Sequence, residues 1–118
     1  MKISRIAELL HAEVVSGVDL LDNDVHSACG SDMMSDVLAF VKDQAVLLTG
    51  LVNPQVIRTA EMMDMRCVVF VRGKKPTIDI IDLAEECGIA ILTTDERMYA
   101  ACGKLYAAGL TGGSVLPK

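Results

Sequence analysis

Three stretches decide the architecture: Ala45-Val46-Leu47-Leu48-Thr49-Gly50, Cys67-Val68-Val69-Phe70-Val71 and Ile89-Ala90-Ile91-Leu92-Thr93-Thr94. Each is a short, unbroken apolar run, and amphipathic segments at helical spacing lie between them. A strand with one face in water would alternate apolar and polar residues. Unbroken runs suit strands covered on both faces, which is the habit of parallel sheets flanked by helices. The predicted fold is therefore α/β, a three-layer α/β/α sandwich with a mostly parallel sheet of about five strands.

Punctuation residues place the helices around these strands. Asn53-Pro54 pairs an N-cap with proline at the first helical position, and Val56, Ile57, Ala60 and Met63 follow as one apolar face. Met62 and Met65 are expected to widen that face. A second helix is predicted over 77–87, with Ile80, Ile81, Ala84 and Cys87 inward and Gly88 as its left-handed stop. Asp95 is expected to cap a third, ending at Gly109, with Glu96 adding favourable charge at its start.

Upstream, the pattern predicts a helix over 3–12 and a short strand over 13–17. A polar connection over 19–24, a strand over 25–29 and a helix over 32–42 follow, the last capped by Ser31 or Asp32. One domain spans 1–110, and the Gly-containing segment 111–118 is expected to be a flexible tail.

Composition narrows the function classes. The chain has 118 residues, 52% hydrophobic but only 3% aromatic, with no Trp, so its core is aliphatic and its stacking surfaces for single-stranded nucleic acid are few. A net charge of −5 without a basic stripe argues further against nucleic acid. No apolar run nears the ~20 residues of a membrane span, and Met1-Lys2-Ile3-Ser4-Arg5 does not open a signal peptide. A cytoplasmic protein without membrane partners is expected. Cys29, Cys67, Cys87 and Cys102 form no CxxC pair and sit within apolar patterns, which suits free thiols rather than a metal site or a resident cofactor.

The quoted stretches, extended to Ala45–Asn53 and Ala84–Gly109, resemble the DRTGG domain, and the resemblance covers roughly residues 1–110. It implies a fold like the amino-terminal domain of HPr kinase/phosphorylase. Similar domains occur in some phosphotransacetylases and between the CBS modules of some regulated pyrophosphatases. There they are regulatory or dimerising modules, sometimes near an adenine-nucleotide effector, and stand-alone copies are typical of anaerobic bacteria. The family's Gly-Asp-Arg turn falls on Gly30-Ser31-Asp32, so its Arg is missing here. The family's Thr-Gly-Gly falls on Thr49-Gly50-Leu51, so its second Gly is missing too.

In an open α/β sheet, ligands bind beyond the carboxyl ends of the strands. That edge is expected to collect Gly30, Ser31, Asp32, Thr49, Gly50, Asn53, Arg72, Lys74, Thr94, Asp95 and Arg97. One reading makes these a site for an adenine nucleotide or other small anion, held by backbone amides at helix starts and by Arg72, Lys74 or Arg97. The other makes them ordinary caps and turns. Gly73-Lys74-Lys75-Pro76 does not complete a Walker loop, and Asp22-Asn23-Asp24 lacks the glycine and distal Glu of a calcium loop.

His11 and His26, the only histidines, have no Ser or Cys partner in a catalytic arrangement, so no catalytic residue is assigned and the chain is not expected to be an enzyme. On the last helix, Met98, Cys102 and Leu105 make one apolar stripe. Tyr99, Gly103 and Tyr106 make another, and a twice-packed helix suggests a homodimer through that second stripe. A regulatory, ligand-sensing module follows as the functional expectation. The alternative is a docking domain for an enzyme partner.

Overall fold

A computed structural model describes residues 1–40 and 44–112. In chain order the elements are α1 (Ile3–Leu10), β1 (Glu13–Ser16), β2 (Ser27–Gly30), α2 (Met34–Phe40) and β3 (Ala45–Thr49). They continue with α3 (Pro54–Met62), β4 (Cys67–Phe70), α4 (Ile78–Cys87), β5 (Ala90–Thr93) and α5 (Met98–Ala107). A single 3-10 turn, Val18–Leu20, lies within the connection that leads from β1 to β2.

The sheet order is β1-β5-β4-β3-β2. Strands β2 to β5 are parallel, and only β1 runs antiparallel, on the outer side of β5. Alternate residues of each central strand enter different cores. Val46, Leu48, Val69 and Leu92 join Ile3, Ile6 and Leu10 of α1 and Ala101 and Leu105 of α5 on one face. Leu47, Val68, Phe70 and Ile91 join Val37 of α2, Val56, Ile57 and Ala60 of α3 and Ile80 and Ala84 of α4 on the other. The three-layer sandwich expected from the unbroken apolar runs is what forms. Every residue of β3, β4 and β5 is buried, because both faces are dry.

Several local expectations shift. Helix α1 stops at Leu10 because His11 turns left-handed at φ 49° and its amide bonds back to Glu8. Strand β2 begins at Ser27, since Val25 is drawn away to the amino terminus, where its amide donates to the Met1 carbonyl. Neither Ser31 nor Asp32 is the cap of α2: the Met33 carbonyl accepts the first helical amides, from Asp36 and Val37. The end predicted for that helix, at 41–42, lies outside the described residues.

Met62 does not widen the buried face of α3 but is 68% exposed, whereas Met65 is buried. Ile81 and Cys87 are half-buried rather than fully inward. Asp95 does not cap α5; the chain makes another turn first, in which the Glu96 amide donates to the Thr94 hydroxyl, and Arg97 occupies the N-cap position. Beyond α5, Leu110 packs into the α1/α5 core and the Thr111 carbonyl accepts the Ala28 amide on the outer side of β2.

One glycine is demanded by the junction of β1 with the sheet. Gly17 adopts φ +86°, and a Cβ placed there would come within 2.6 Å of the Ala90 Cα in β5. Backbone cannot swing aside as a side chain can. Gly17→Ala is expected to cost about 2–5 kcal/mol, combining a left-handed Ala with overpacking. Gly103→Ala, in the middle of exposed α5 with open space around it, should instead add roughly 0.5–1 kcal/mol. Urea unfolding of both variants checks the pair.

Candidate functional site at the strand ends

Because β2 to β5 are parallel, their carboxyl ends lie along one edge, and all the sequence-predicted site residues follow those ends. The edge is not cut by a reversal of strand order. Successive parallel strands are direct neighbours, and α2, α3 and α4 between them all pack on one face. No crevice between diverging strands opens at this edge, which is built from the loops alone.

Four of the predicted residues form one network. Asp32, in the loop after β2, accepts through Oδ1 from the Gly50 amide at 2.7 Å and from the Thr49 hydroxyl at 3.1 Å. Its other oxygen, Oδ2, faces Arg72 Nη2 at 3.4 Å. The Thr49 hydroxyl in turn accepts the Leu51 amide at 3.1 Å. Thr49 is fully buried, while the Asp32 and Arg72 side chains are half-exposed. Asp32 thus ties the β2–α2 loop to the end of β3 and holds a guanidinium from the end of β4.

The turn carrying Arg72 is strained. Arg72 and Gly73 are both left-handed, at φ 61° and 70°, and the Lys74 amide closes the turn on the Val71 carbonyl at 3.2 Å. A left-handed non-glycine residue costs roughly 1–2 kcal/mol. Hydrogen bonds from the Arg72 amide to the Glu96 carbonyl at 2.7 Å and from the Gly73 amide to the Thr94 carbonyl at 2.9 Å hold it. The Arg72 guanidinium lies directly against Gly50, where any Cβ would overlap it. An Arg from the turn after β4 thus stands beside the 30–32 turn.

The remaining predicted residues are spoken for in other ways. The Ser31 hydroxyl accepts the Met33 amide, and Asn53 caps α3 by accepting the Gln55 amide at 2.8 Å. The Thr94 hydroxyl donates to the Leu10 carbonyl at 2.8 Å, satisfying the end of α1. Gly30 has no side chain because Cys102 and Met98 of α5 press against it. Lys74, Asp95 and Arg97 are exposed, and none has an ion-pair partner among the described residues.

Backbone amides at this edge are largely committed to protein acceptors. Those of Ser31, Gly50, Leu51, Arg72, Gly73 and Glu96 all donate within the fold. Helices α4 and α5 are the exceptions, starting without a side-chain cap. The loop amides are thus mostly spent within the fold, and the positive charge at this edge is carried by the side chains of Arg72, Lys74 and Arg97.

Sequence reasoning missed a depression of about 180 Å³ beside this edge, lined by His11, Glu13, Gly73, Lys75, Thr93, Thr94 and Asp95. It exists because antiparallel pairing sets Glu13 opposite Thr93. No local motif announces that pairing. No group of three or more metal-ligating side chains occurs among the described residues, and no described helix is long and apolar enough to cross a membrane.

The thiols are poor nucleophiles. Burial pushes Cys67 up to about 12 from its ordinary 9.0. Cys29 is raised by burial and then by its neighbours Cys102 and Asp36, and Cys102 by burial. The thiolate is the reactive form, so a raised pKa lowers its share in each of them at neutral pH.

The sequence profile of the DRTGG domain matches residues 5–108. The chain belongs to the DRTGG domain family. Among curated proteins, none matches it. Among solved structures, this DRTGG domain is similar to the CBS and DRTGG domains of the regulatory region of Clostridium perfringens pyrophosphatase, complexed with its activator diadenosine tetraphosphate. The identity is 17% and the TM-score 0.71, over 99% of this chain and 50% of that one, so the likeness is one of fold. The DRTGG domain here spans half the length of that neighbour.

Two outcomes follow from the network and the thiols. Asp32→Ala strands the buried Thr49 hydroxyl and the Gly50 amide and should cost about 1–3 kcal/mol. Gly50→Ala displaces only a half-exposed ion pair and should cost under about 1 kcal/mol; chemical denaturation compares the two. Because folding raises the Cys67 pKa, its contribution is fully present below pH 9 and is lost as pH climbs toward about 12. Melting temperature recorded across that window should fall, and less so in Cys67→Ala.

Proposed function

We propose that this DRTGG domain is a non-catalytic regulatory module that senses a small phosphate-bearing anion, with an adenine nucleotide as the leading class, at the carboxyl ends of its strands. The observation that carries this reading is the Arg72 guanidinium, set over Gly50 by a strained turn and held half-exposed beside Asp32. Backbone strain is retained where the surroundings over-determine it, often at ligand sites. A planar, permanently charged guanidinium suits phosphate oxygens. Lys74 and Arg97 add exposed positive charge on the same edge, Arg97 at the uncapped start of α5. The activator named for the pyrophosphatase regulatory region makes diadenosine tetraphosphate a natural first probe.

The module acts as a homodimer through α5 in this reading. Tyr99 is 92% and Tyr106 67% exposed, and a Cβ at Gly103 between them would meet nothing within 4 Å. Two exposed rings flanking a residue with no side chain make a surface that a second copy can match. A docking role toward an enzyme partner is the second reading, favoured by exposed Met33, Met62 and Ile78 at 61%, 68% and 72%.

Thermal unfolding with diadenosine tetraphosphate and with adenine and guanine mono- and dinucleotides tests the sensor. Saturation to a hundred times Kd should stabilise by about 2.7 kcal/mol, a rise of roughly 10 °C. The shift should shrink in Arg72→Gln, Lys74→Gln and Arg97→Gln. A flat panel sinks the sensor and moves weight to docking. Light scattering tests the dimer: twice the monomer mass is expected, reverting to monomer in Gly103→Glu.

A further inference from the structure

Asp32 and the proposed ligand would compete for the same guanidinium. Building on the reading that an anion binds at Arg72, we infer that Asp32 is not a ligand contact but a built-in competitor. It sets a charge threshold that admits polyphosphates and turns away single-charge oxyanions.

The geometry fixes the competitor in place. Asp32 Oδ1 is pinned by the Gly50 amide at 2.7 Å and the Thr49 hydroxyl at 3.1 Å, so the carboxylate cannot rotate out of the site. Oδ2 then stands 3.4 Å from Arg72 Nη2, well beyond the roughly 2.7–2.9 Å of a strong charge-assisted bond. The contact is loose enough to be outbid but close enough to repel an incoming anion.

Arg72 projects into that field from a fixed base. Its backbone is locked left-handed by bonds to Glu96 and across the Val71–Lys74 turn, and its guanidinium rests on the bare backbone of Gly50. A carboxylate or other monoanion would merely replace one carboxylate contact with another while facing a fixed negative charge. A polyphosphate brings several charges and can engage Arg72 together with Lys74 and Arg97, which have no carboxylate partner among the described residues.

Asp32→Asn separates competition from scaffolding. The amide oxygen still accepts from Gly50 and Thr49, while the charge is gone. Titration calorimetry with pyrophosphate, diadenosine tetraphosphate and acetate would compare the wild type, Asp32→Asn and Asp82→Asn. The last makes the same net-charge change in the middle of α4, outside the Asp32–Arg72 network. Asp32→Asn should bind pyrophosphate and diadenosine tetraphosphate about fivefold tighter than wild type, the upper range for releasing an exposed ion pair. It should also begin to bind acetate, and Asp82→Asn should do neither. Melting curves confirm that Asp32→Asn is folded. Wild-type binding that is unchanged or weakened by Asp32→Asn overturns the competitor while leaving the sensor reading intact. Equal tightening in Asp82→Asn overturns it as well, by assigning the effect to net charge. Failure of every protein to bind any probe overturns both.

Discussion

The constraint on which this molecule rests is that its parallel strands are dry on both faces. Each of β3, β4 and β5 is only four or five residues long and fully buried. Polarity enters at Thr49, which closes β3, and at Thr93 and Thr94, at and just beyond the end of β5. Thr49 bonds to Asp32, and Thr94 bonds to Leu10 and Glu96. The transition from core to edge is thus made by hydroxyls that satisfy loop backbone. The loops at that edge are ordered by the end of the core itself.

That ordering shapes what the edge can do. Amides used to fasten the loops are not free to cradle an anion, so the proposed recognition would fall to long side chains. Among them only Arg72 is held: by Asp32 at its head, by a left-handed turn at its base and by the absence of a side chain at Gly50 beneath it. Lys74 and Arg97 supply charge without fixed direction. Under the proposed reading such a site would take orientation from one arginine and affinity from charge, and its affinity would weaken as salt rises.

Membership of the DRTGG family and the fold of the pyrophosphatase regulatory region agree with a single arrangement of helices and strands. The departures within that arrangement are local. The turn at 30–32 carries no Arg, and Leu51 follows Gly50. The structure places Arg72 against Asp32 and Gly50. Residues from three separate loops meet there only because the ends of β2, β3 and β4 are adjacent. That adjacency is a property of strand order, invisible to motif alignment.

The amino-acid sequence by itself determined the layers. Unbroken apolar runs require two covered faces, helical spacing at Val56, Ile57 and Ala60 supplies one cover, and Asn53-Pro54 and Gly88 set helix ends through local chemistry that neighbours do not alter. It also put the candidate residues on one edge, since parallel strands share their carboxyl ends. What it could not determine was who meets whom. Asp32 looked like a cap for its own helix, but the Gly50 amide and the Thr49 hydroxyl, 18 and 17 residues away, claimed its carboxylate. Asp95 looked like the cap of α5, but the Thr94 hydroxyl claimed the turn first. Met62 fitted a buried face by periodicity, yet α3 is too narrowly covered to hide it. The β1–β5 pairing, the Arg72–Asp32 contact and the bare face of α5 were all decided by tertiary structure. Caps and periodicity act within a few residues, whereas competition for a buried polar group is settled by whichever partner the folded sheet brings nearest.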